Sequence, residues 1–115
     1  MKLSTLWKIR GKDQWAFISK GETFSKFPIW IRWCAPEDFK NDPVRLGFAI
    51  SKKYGNAVAR NKFKRRTREI IRKNAVSFDK LKGKFLLVGV SSSRKDLVKN
   101  IEIENAVSAF ISSLK

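Results

Sequence analysis

The residues of this chain that are most able to do chemistry are cations concentrated between residues 51 and 73. Ten of these 23 residues are Lys or Arg and only Glu69 is acidic, so the segment carries +9 of a formal charge of +16. From Asn56 onward the sequence predicts one uninterrupted helix, because Gly55 ends what precedes it and Asn56 is a good N-cap. Such a helix would present its charge to a polyanion.

Four cations fall in a ladder along one side of this helix, since residues spaced by four share a face. They are Arg60, Lys64, Arg68 and Arg72, with Asn61 and Arg65 beside them. The opposite side is apolar and consists of Ala59, Phe63 and Ile70, with Thr67 on its edge. We therefore predict that one side is buried and that the other meets negative charge.

A solvated helix surface is the plain alternative for this charge run. Solvated surfaces usually interleave Glu with Lys, whereas here i, i+4 neighbours such as Arg60 and Lys64 carry the same charge. The like-charged neighbours together cost about 1–2 kcal/mol. Phosphates would remove that cost and release counterions on binding. The pattern therefore favours a nucleic acid, RNA or DNA, as the partner.

Composition sets limits on the rest of the molecule. The 115 residues are enough for one domain with one core, and we expect residues 1–10 to form a basic arm that orders only on RNA. A pI near 10.5 indicates a polyanionic partner, with an anionic membrane as the other candidate. No apolar run approaches the roughly 20 residues that span a bilayer, and the single cysteine, Cys34, forms no internal disulfide. We expect a cytoplasmic protein.

The sequence offers little for catalysis by the chain itself. It has no histidine, which removes the commonest general base and metal ligand. Its ten acidic residues show no spacing that would gather metal ions on one rigid element, and no phosphate-binding Gly-rich loop is present. We therefore predict no catalytic residue and no metal or cofactor held by this chain.

Hydrophobic periodicity predicts the elements that position these cations. The expected order is a helix at 11–20, two or three strands within 22–35, a strand at 44–52, the long helix, a buried strand at 84–90, and a last helix from Asn100. Pro28 suits a break between two short strands or an edge position. A strand–helix–strand unit implies a parallel pair within a mixed sheet, and hence an α+β sandwich.

Two of these elements allow more than one interpretation. In the first helix, Trp15 and Ile18 fall on one side with Phe17 displaced, and such aromatics either pack in a core or stack on unpaired bases. In the strand at 44–52, one face is small and polar, with Gly47 and Ala49, so that a helix or a nucleotide strand could approach it closely.

The stretch from Arg45 to Glu69 resembles the protein subunit of bacterial ribonuclease P. The resemblance is carried by Ser-Lys-Lys at 51–53, Gly-Asn-Ala-Val at 55–58 and Arg-Asn-Lys at 60–62. It implies that a separate catalytic RNA holds the Mg²⁺ ions and hydrolyses the phosphodiester at the 5′ end of precursor tRNA. The protein would bind that RNA and the 5′ leader, with no membrane and no small-molecule substrate involved.

The same resemblance implies an α+β two-layer sandwich of a mixed four-stranded sheet and three helices, with a ribosomal-protein-S5-domain-2-like fold. The family has a left-handed β-α-β crossover around its long helix. Base rates alone would make that crossover right-handed, and we follow the family.

The site residues implied by the resemblance and the ladder form two groups. The RNA-binding group is Lys52, Lys53, Arg60, Asn61, Lys62, Lys64, Arg65, Arg68 and Arg72. The leader-cleft group is Trp15, Phe17, Ile18, Trp30, Arg32 and Arg45. Lys62 stands where the family motif has Arg, so it keeps the charge but loses bidentate phosphate recognition. The aromatics of the first helix are shifted by about one residue from the family pattern.

Two other classes of function compete with this hypothesis. A non-catalytic ribosomal or general RNA-binding protein would need the same cations but would not accelerate a reaction. A membrane-active cationic protein is the third class, and the well-developed strands argue against it.

Overall fold

The fold is that of a computed structural model, which describes residues 7–77, 81–91 and 98–114. Besides one turn of 3-10 helix at Glu37–Phe39, it contains the strands and helices β1 (Trp7–Lys8), α1 (Gly11–Ser19), β2 (Glu22–Lys26), β3 (Ile29–Cys34), β4 (Arg45–Ala49), α2 (Ala57–Ser77), β5 (Phe85–Val90) and α3 (Asn100–Ser113).

The strands form one mixed sheet in the order β1-β4-β5-β3-β2. Strand β4 runs parallel to its neighbours β1 and β5, whereas β3 runs antiparallel to β5 and β2. Parallel neighbours cannot be joined by a hairpin, and here α2 lies in the connection from β4 to β5. The predicted α+β fold with three helices and a four-stranded mixed sheet is confirmed, with the short β1 added at one edge. The hand of the crossover stays a prediction.

The two faces of the sheet bury separate apolar clusters. Helices α2 and α3 pack on one face, where strand residues such as Ile31 and Val88 meet Phe110 of α3. Helix α1 lies on the other face, where Ile18 joins Ile9 and Phe85. Because side chains alternate along a strand, adjacent residues of β4 and β5 serve different clusters.

The N-terminus of α2 follows the sequence prediction. The side-chain Oδ1 of Asn56 accepts a hydrogen bond from the backbone N–H of Ala59 at 2.9 Å, which is the geometry of an N-cap. Phe63, Thr67 and Ile70 are all buried, so the predicted apolar side of α2 is the side that packs on the core. The helix ends at Ser77, one turn later than the sequence indicated.

The expected flexible arm at residues 1–10 is wrong for its second half. Trp7 and Lys8 form β1 and pair in register with Arg45 and Leu46 of β4. The backbone N–H of Ile9 continues this pairing by donating to the carbonyl oxygen of Leu46 at 3.2 Å, and the Ile9 side chain is buried. A buried isoleucine fixes this segment to the sheet without RNA. Residues 1–6 lie outside the described part of the chain.

We predict that Phe63→Ala lowers the free energy of unfolding by about 3–5 kcal/mol, because the ring is 2% exposed and its loss leaves a cavity. The ring packs edge-on against Phe48 and Tyr54, at centroid distances of 6.3 and 5.7 Å. Urea denaturation measures the change. The control is Val58→Ala on the same helix, which is 75% exposed and should change stability by no more than about 0.5 kcal/mol. Equal effects of the two substitutions would contradict the assigned rotation of α2.

Candidate nucleic-acid interface

In the part of the chain that the structure describes, acidic side chains leave most of the charged side of α2 uncovered. No carboxylate of a described residue lies within 4.0 Å of Lys62, Lys64, Arg65 or Arg68. Arg72 pairs with Glu69, the single acidic residue of the helix. The like charges therefore remain largely uncompensated, and this side of α2 can accept phosphates.

The ladder borders a groove of about 340 Å³ that opens at the edge of β4, where β1 ends. Helix α2 supplies one wall and α1 contributes the indole of Trp15. The groove is lined by Lys8, Ile9, Trp15, Leu46, Gly47, Phe48, Lys64, Arg68 and Arg72. Cations beside aromatic rings suit single-stranded nucleic acid, because phosphates meet the cations while bases stack on the rings.

Packing fixes the position of one cation in this groove. The guanidinium carbon of Arg68 lies 5.3 Å from the ring centroid of Phe48. Phe48 in turn packs edge-on against Phe63 in the core. Because the Phe48 ring is held from behind, the Arg68 side chain is preorganised before any ligand arrives.

The turn that precedes α2 carries Lys52 and Lys53, both exposed. Backbone hydrogen bonds from Tyr54 to Ser51 and from Gly55 to Lys52, at 3.1 and 3.2 Å, hold the turn. The buried Tyr54 hydroxyl accepts a hydrogen bond from the backbone N–H of Val98 at 3.1 Å, which ties the turn to the start of α3. Both lysines are therefore held near the N-terminus of α2, where the helix dipole favours an anion.

On the other face of the sheet, the structure brings two of the predicted cleft aromatics to the surface. Trp15 is 40% exposed and its ring tip lies over Gly47, while Trp30 of β3 is half-buried. Phe17 is 38% exposed, with its ring edge-on to Phe39 and Phe85 at centroid distances of 5.9 Å each. Phe17 therefore packs mainly against core rings, whereas the exposed part of the Trp15 ring is accessible for stacking.

Two of the predicted cleft residues have buried side chains, and their role in the cleft stays a prediction. Ile18 is 3% exposed and packs with Phe85. Arg45 is 8% exposed, forms an ion pair with Asp42 at 3.3 Å, and places its guanidinium 5.0 Å from the ring centroid of Phe39. Arg45 is thus held between an internal carboxylate and an aromatic ring, which gives it a role in packing.

Arg32, a third residue of the predicted cleft, makes hydrogen bonds to the end of α1. Its Nε donates to the carbonyl oxygen of Ile18 at 2.7 Å and its Nη2 to that of Ser19 at 2.6 Å. A further contact reaches Thr23 Oγ1 at 3.3 Å. The last carbonyls of a helix lack partners within it, so Arg32 caps α1 and anchors it to the sheet. Arg32 thereby fixes the end of α1, the helix that carries Trp15, against the sheet.

The sequence prediction missed Lys8 and Phe48 as groove residues. Lys8 falls in the predicted arm, and Phe48 is not among the predicted site residues. Both reach the groove because β1 covers only the first part of β4 and leaves its edge open from Gly47 onward. An edge position cannot be read from periodicity alone.

Other kinds of site find little support in the described ranges. These residues contain no group of three or more His, Cys, Asp or Glu placed to hold a metal ion. Burial raises the pKa of the Cys34 thiol, which keeps it protonated at neutral pH, as expected of a packed cysteine. Among the helices that the structure describes, none has the length and apolar character needed to span a bilayer.

Comparisons with known proteins point to one family. A family model described as Ribonuclease P matches residues 3–115. The ribonuclease P protein component of Finegoldia magna is 61% identical over 37 residues, 32% of this chain and 33% of that protein. That of a Nocardioides species is 30% identical over 91 residues, which cover 74% of this chain and 75% of that protein. The match thus spans about a third of the first of these relatives and three quarters of the second.

Solved structures show the same fold. A ribonuclease P protein of Staphylococcus aureus superimposes with a TM-score of 0.73 at 25% identity, covering 94% of this chain and 96% of that one. The ribonuclease P protein of Thermotoga maritima gives a TM-score of 0.70 at 24% identity, covering 90% and 93%.

We predict that Arg32→Ala lowers the free energy of unfolding by about 2 kcal/mol, because α1 loses its charged C-terminal partner. The salt dependence of RNA binding should keep its slope, since no phosphate contact is removed. Thermal unfolding and a titration over several salt concentrations give the two quantities. Lys26→Ala on the neighbouring strand removes the same charge without a cap and should leave stability unchanged. A flatter salt slope with normal stability in Arg32→Ala would show that Arg32 binds phosphate after all.

Proposed function

The chain belongs to the ribonuclease P protein family, and on this premise we propose that it is the protein subunit of that RNA-dependent endoribonuclease. It binds the catalytic RNA and the 5′ leader of precursor tRNA and assists removal of the leader, which yields the mature tRNA 5′ end. Two observations carry this proposal. They are the family match over residues 3–115 and an α2 surface on which Lys62, Lys64, Arg65 and Arg68 have no carboxylate of a described residue within 4.0 Å.

In the proposed mechanism the cations of α2 dock the protein on the catalytic RNA. The docking residues are Lys52, Lys53, Arg60, Asn61, Lys62, Lys64, Arg65, Arg68 and Arg72. Each phosphate that replaces the ion atmosphere around these side chains releases counterions, which drives association and makes it sensitive to salt. It also removes the like-charge repulsion along α2. Residues 1–115 act together as one RNA-binding domain.

The leader lies along the groove and the open face of the sheet. Lys64 and Arg68 neutralise its phosphates, while Trp15 and Trp30 offer surfaces on which unpaired bases stack. A leader held at both backbone and base raises substrate affinity without requiring any group of the protein to react. This division explains how a chain without histidine can serve a hydrolytic enzyme.

The bond-breaking step belongs to the RNA subunit in this proposal. The RNA would hold the Mg²⁺ ions, which would supply an activated water and charge stabilisation for hydrolysis of the phosphodiester. The protein lowers the magnesium requirement by neutralising phosphates that divalent ions would otherwise have to screen. The reaction takes place in the cytoplasm, where precursor tRNA is made in bacteria.

Reconstitution tests the proposed function. Purified protein is added to a bacterial ribonuclease P RNA at low magnesium, with precursor tRNA as substrate. We expect cleavage to be restored, and more strongly for a leader of several nucleotides than for a leader of one. The protein alone should cut nothing. Binding to the RNA without any rate enhancement would instead indicate a general RNA-binding protein.

We predict that Arg68→Ala weakens binding to the catalytic RNA and flattens the log–log salt dependence by about 0.7–0.9, equivalent to one phosphate. The matched control is Arg68→Lys, which keeps the charge and should keep the slope while losing contact with the Phe48 ring. Titrations at several salt concentrations measure both. An unchanged slope in Arg68→Ala would rule out a direct phosphate contact at this position.

A further inference from the structure

Two glycines, Gly47 and Gly89, leave room for tryptophan rings on the face of the sheet that carries α1. A Cβ built on Gly89 would lie 2.2 Å from both Cε2 and Cζ2 of Trp30, and 2.7 Å from its Nε1. A Cβ built on Gly47 would lie 2.7 Å from Cη2 of Trp15. Real Cβ contacts are never this short, and an indole is rigid. Any other residue at position 89 would therefore displace the Trp30 ring.

Gly89 is an unusual choice at its position in the sheet. It lies inside β5, a buried strand whose other residues are Phe, Leu and Val. Glycine in a strand interior weakens the strand, and it is retained where something approaches the backbone closely. Here Trp30 is the residue paired directly opposite Gly89 on β3, and its ring fills the space that a side chain would occupy.

The register places the two glycines near one another. Gly47 pairs with Leu87 and Gly89 pairs with Ala49, so they sit two residues apart on the neighbouring strands β4 and β5. With ordinary strand spacing and rise this separation is about 8 Å. The residue paired with Gly89 on β4 is Ala49, which is exposed and has only a methyl side chain.

We propose that Gly89 is a positioning residue for the leader site, and that it sets Trp30 as a second stacking platform beside Trp15. The ligand at this platform is an unpaired base of the leader, so the proposal rests on the proposed function above. Trp30 lies on the same face of the sheet as Trp15, which forms one wall of the groove. A single-stranded RNA whose phosphates follow the cations of α2 can therefore place successive bases on the two rings.

The competing explanation is a purely structural role for Gly89 and Trp30. An aromatic ring laid over a strand glycine shields the backbone and stabilises a sheet even when no ligand binds. Stability measurements cannot separate the two roles, because Gly89→Ala lowers stability under both. The quantity that distinguishes base stacking from a purely structural role is a ratio of two affinities. They are the affinities for precursor tRNA with a leader of several nucleotides and with a leader of one.

The experiment measures this ratio in the holoenzyme reconstituted with ribonuclease P RNA. Gly89→Ala should reduce the affinity for the long-leader substrate on the order of tenfold, the loss of one stacked base, and should leave the short-leader substrate unaffected. Trp30→Ala should give the same reduction. The double variant should match Trp30→Ala alone, because an alanine at position 89 has no ring left to displace. Trp33→Phe, which alters an indole on the opposite face, should keep the wild-type ratio.

The other possible outcomes of this experiment overturn either the role of Gly89 or the proposed function. A wild-type ratio in either Gly89→Ala or Trp30→Ala overturns the proposal and leaves the pair a structural device. If Gly89→Ala fails to fold, the ratio in Trp30→Ala and in the double variant, where the clash is absent, decides in its place. If the unaltered protein shows no leader dependence at all, it is the proposed function that fails. Binding of a short unpaired oligoribonucleotide to the protein alone then tests the platform separately, and equal affinity of wild type and Trp30→Ala overturns it.

Discussion

The structure depends on holding a column of like charges against an apolar sheet without neutralising it. Helix α2 does this by placing apolar side chains on one side and cations on the opposite side. Phe63, Thr67 and Ile70 are buried on the core side, and the cation ladder borders the groove on the other. Burying a stripe of apolar side chains is worth several kcal/mol, which exceeds the cost of about 1–2 kcal/mol from like-charged neighbours. The helix is therefore stable before RNA arrives, and its repulsion is still available to be relieved on binding.

The distribution of the acids keeps this charge uncompensated. Glu37 pairs with Lys40, Asp42 pairs with Arg45, and Glu102 caps α3 by accepting from the Lys99 backbone N–H at 2.8 Å. These carboxylates lie in the loop before β4 or at the start of α3, away from the ladder. Within α2 only Glu69 opposes the cations. These three described acids thus have partners of their own and leave the ladder side of α2 positive.

Much of the fold could be predicted because it is encoded locally. Asn56 followed by an apolar repeat specifies the start and the rotation of α2, and Pro28 marks the break between β2 and β3. The leader cleft was less predictable because an arginine side chain has the same sequence signature whether it binds RNA or the protein itself. Arg32 and Arg45 find their partners through tertiary packing, with carbonyls of α1 in one case and aromatic rings in the other. No local pattern reports those contacts.

The groups within reach of an arginine side chain determine whether its guanidinium binds the protein itself or stays available to a ligand. Where helix-end carbonyls are close, as for Arg32, the guanidinium donates to the protein itself. Where a carboxylate is close, as for Arg45, the charge is paired internally. Arg68 has instead the face of an aromatic ring, which attracts the guanidinium but accepts none of its hydrogen bonds. Its donors stay available while its position is fixed. That combination suits a phosphate ligand better than free exposure does, because less side-chain entropy remains to be lost on binding.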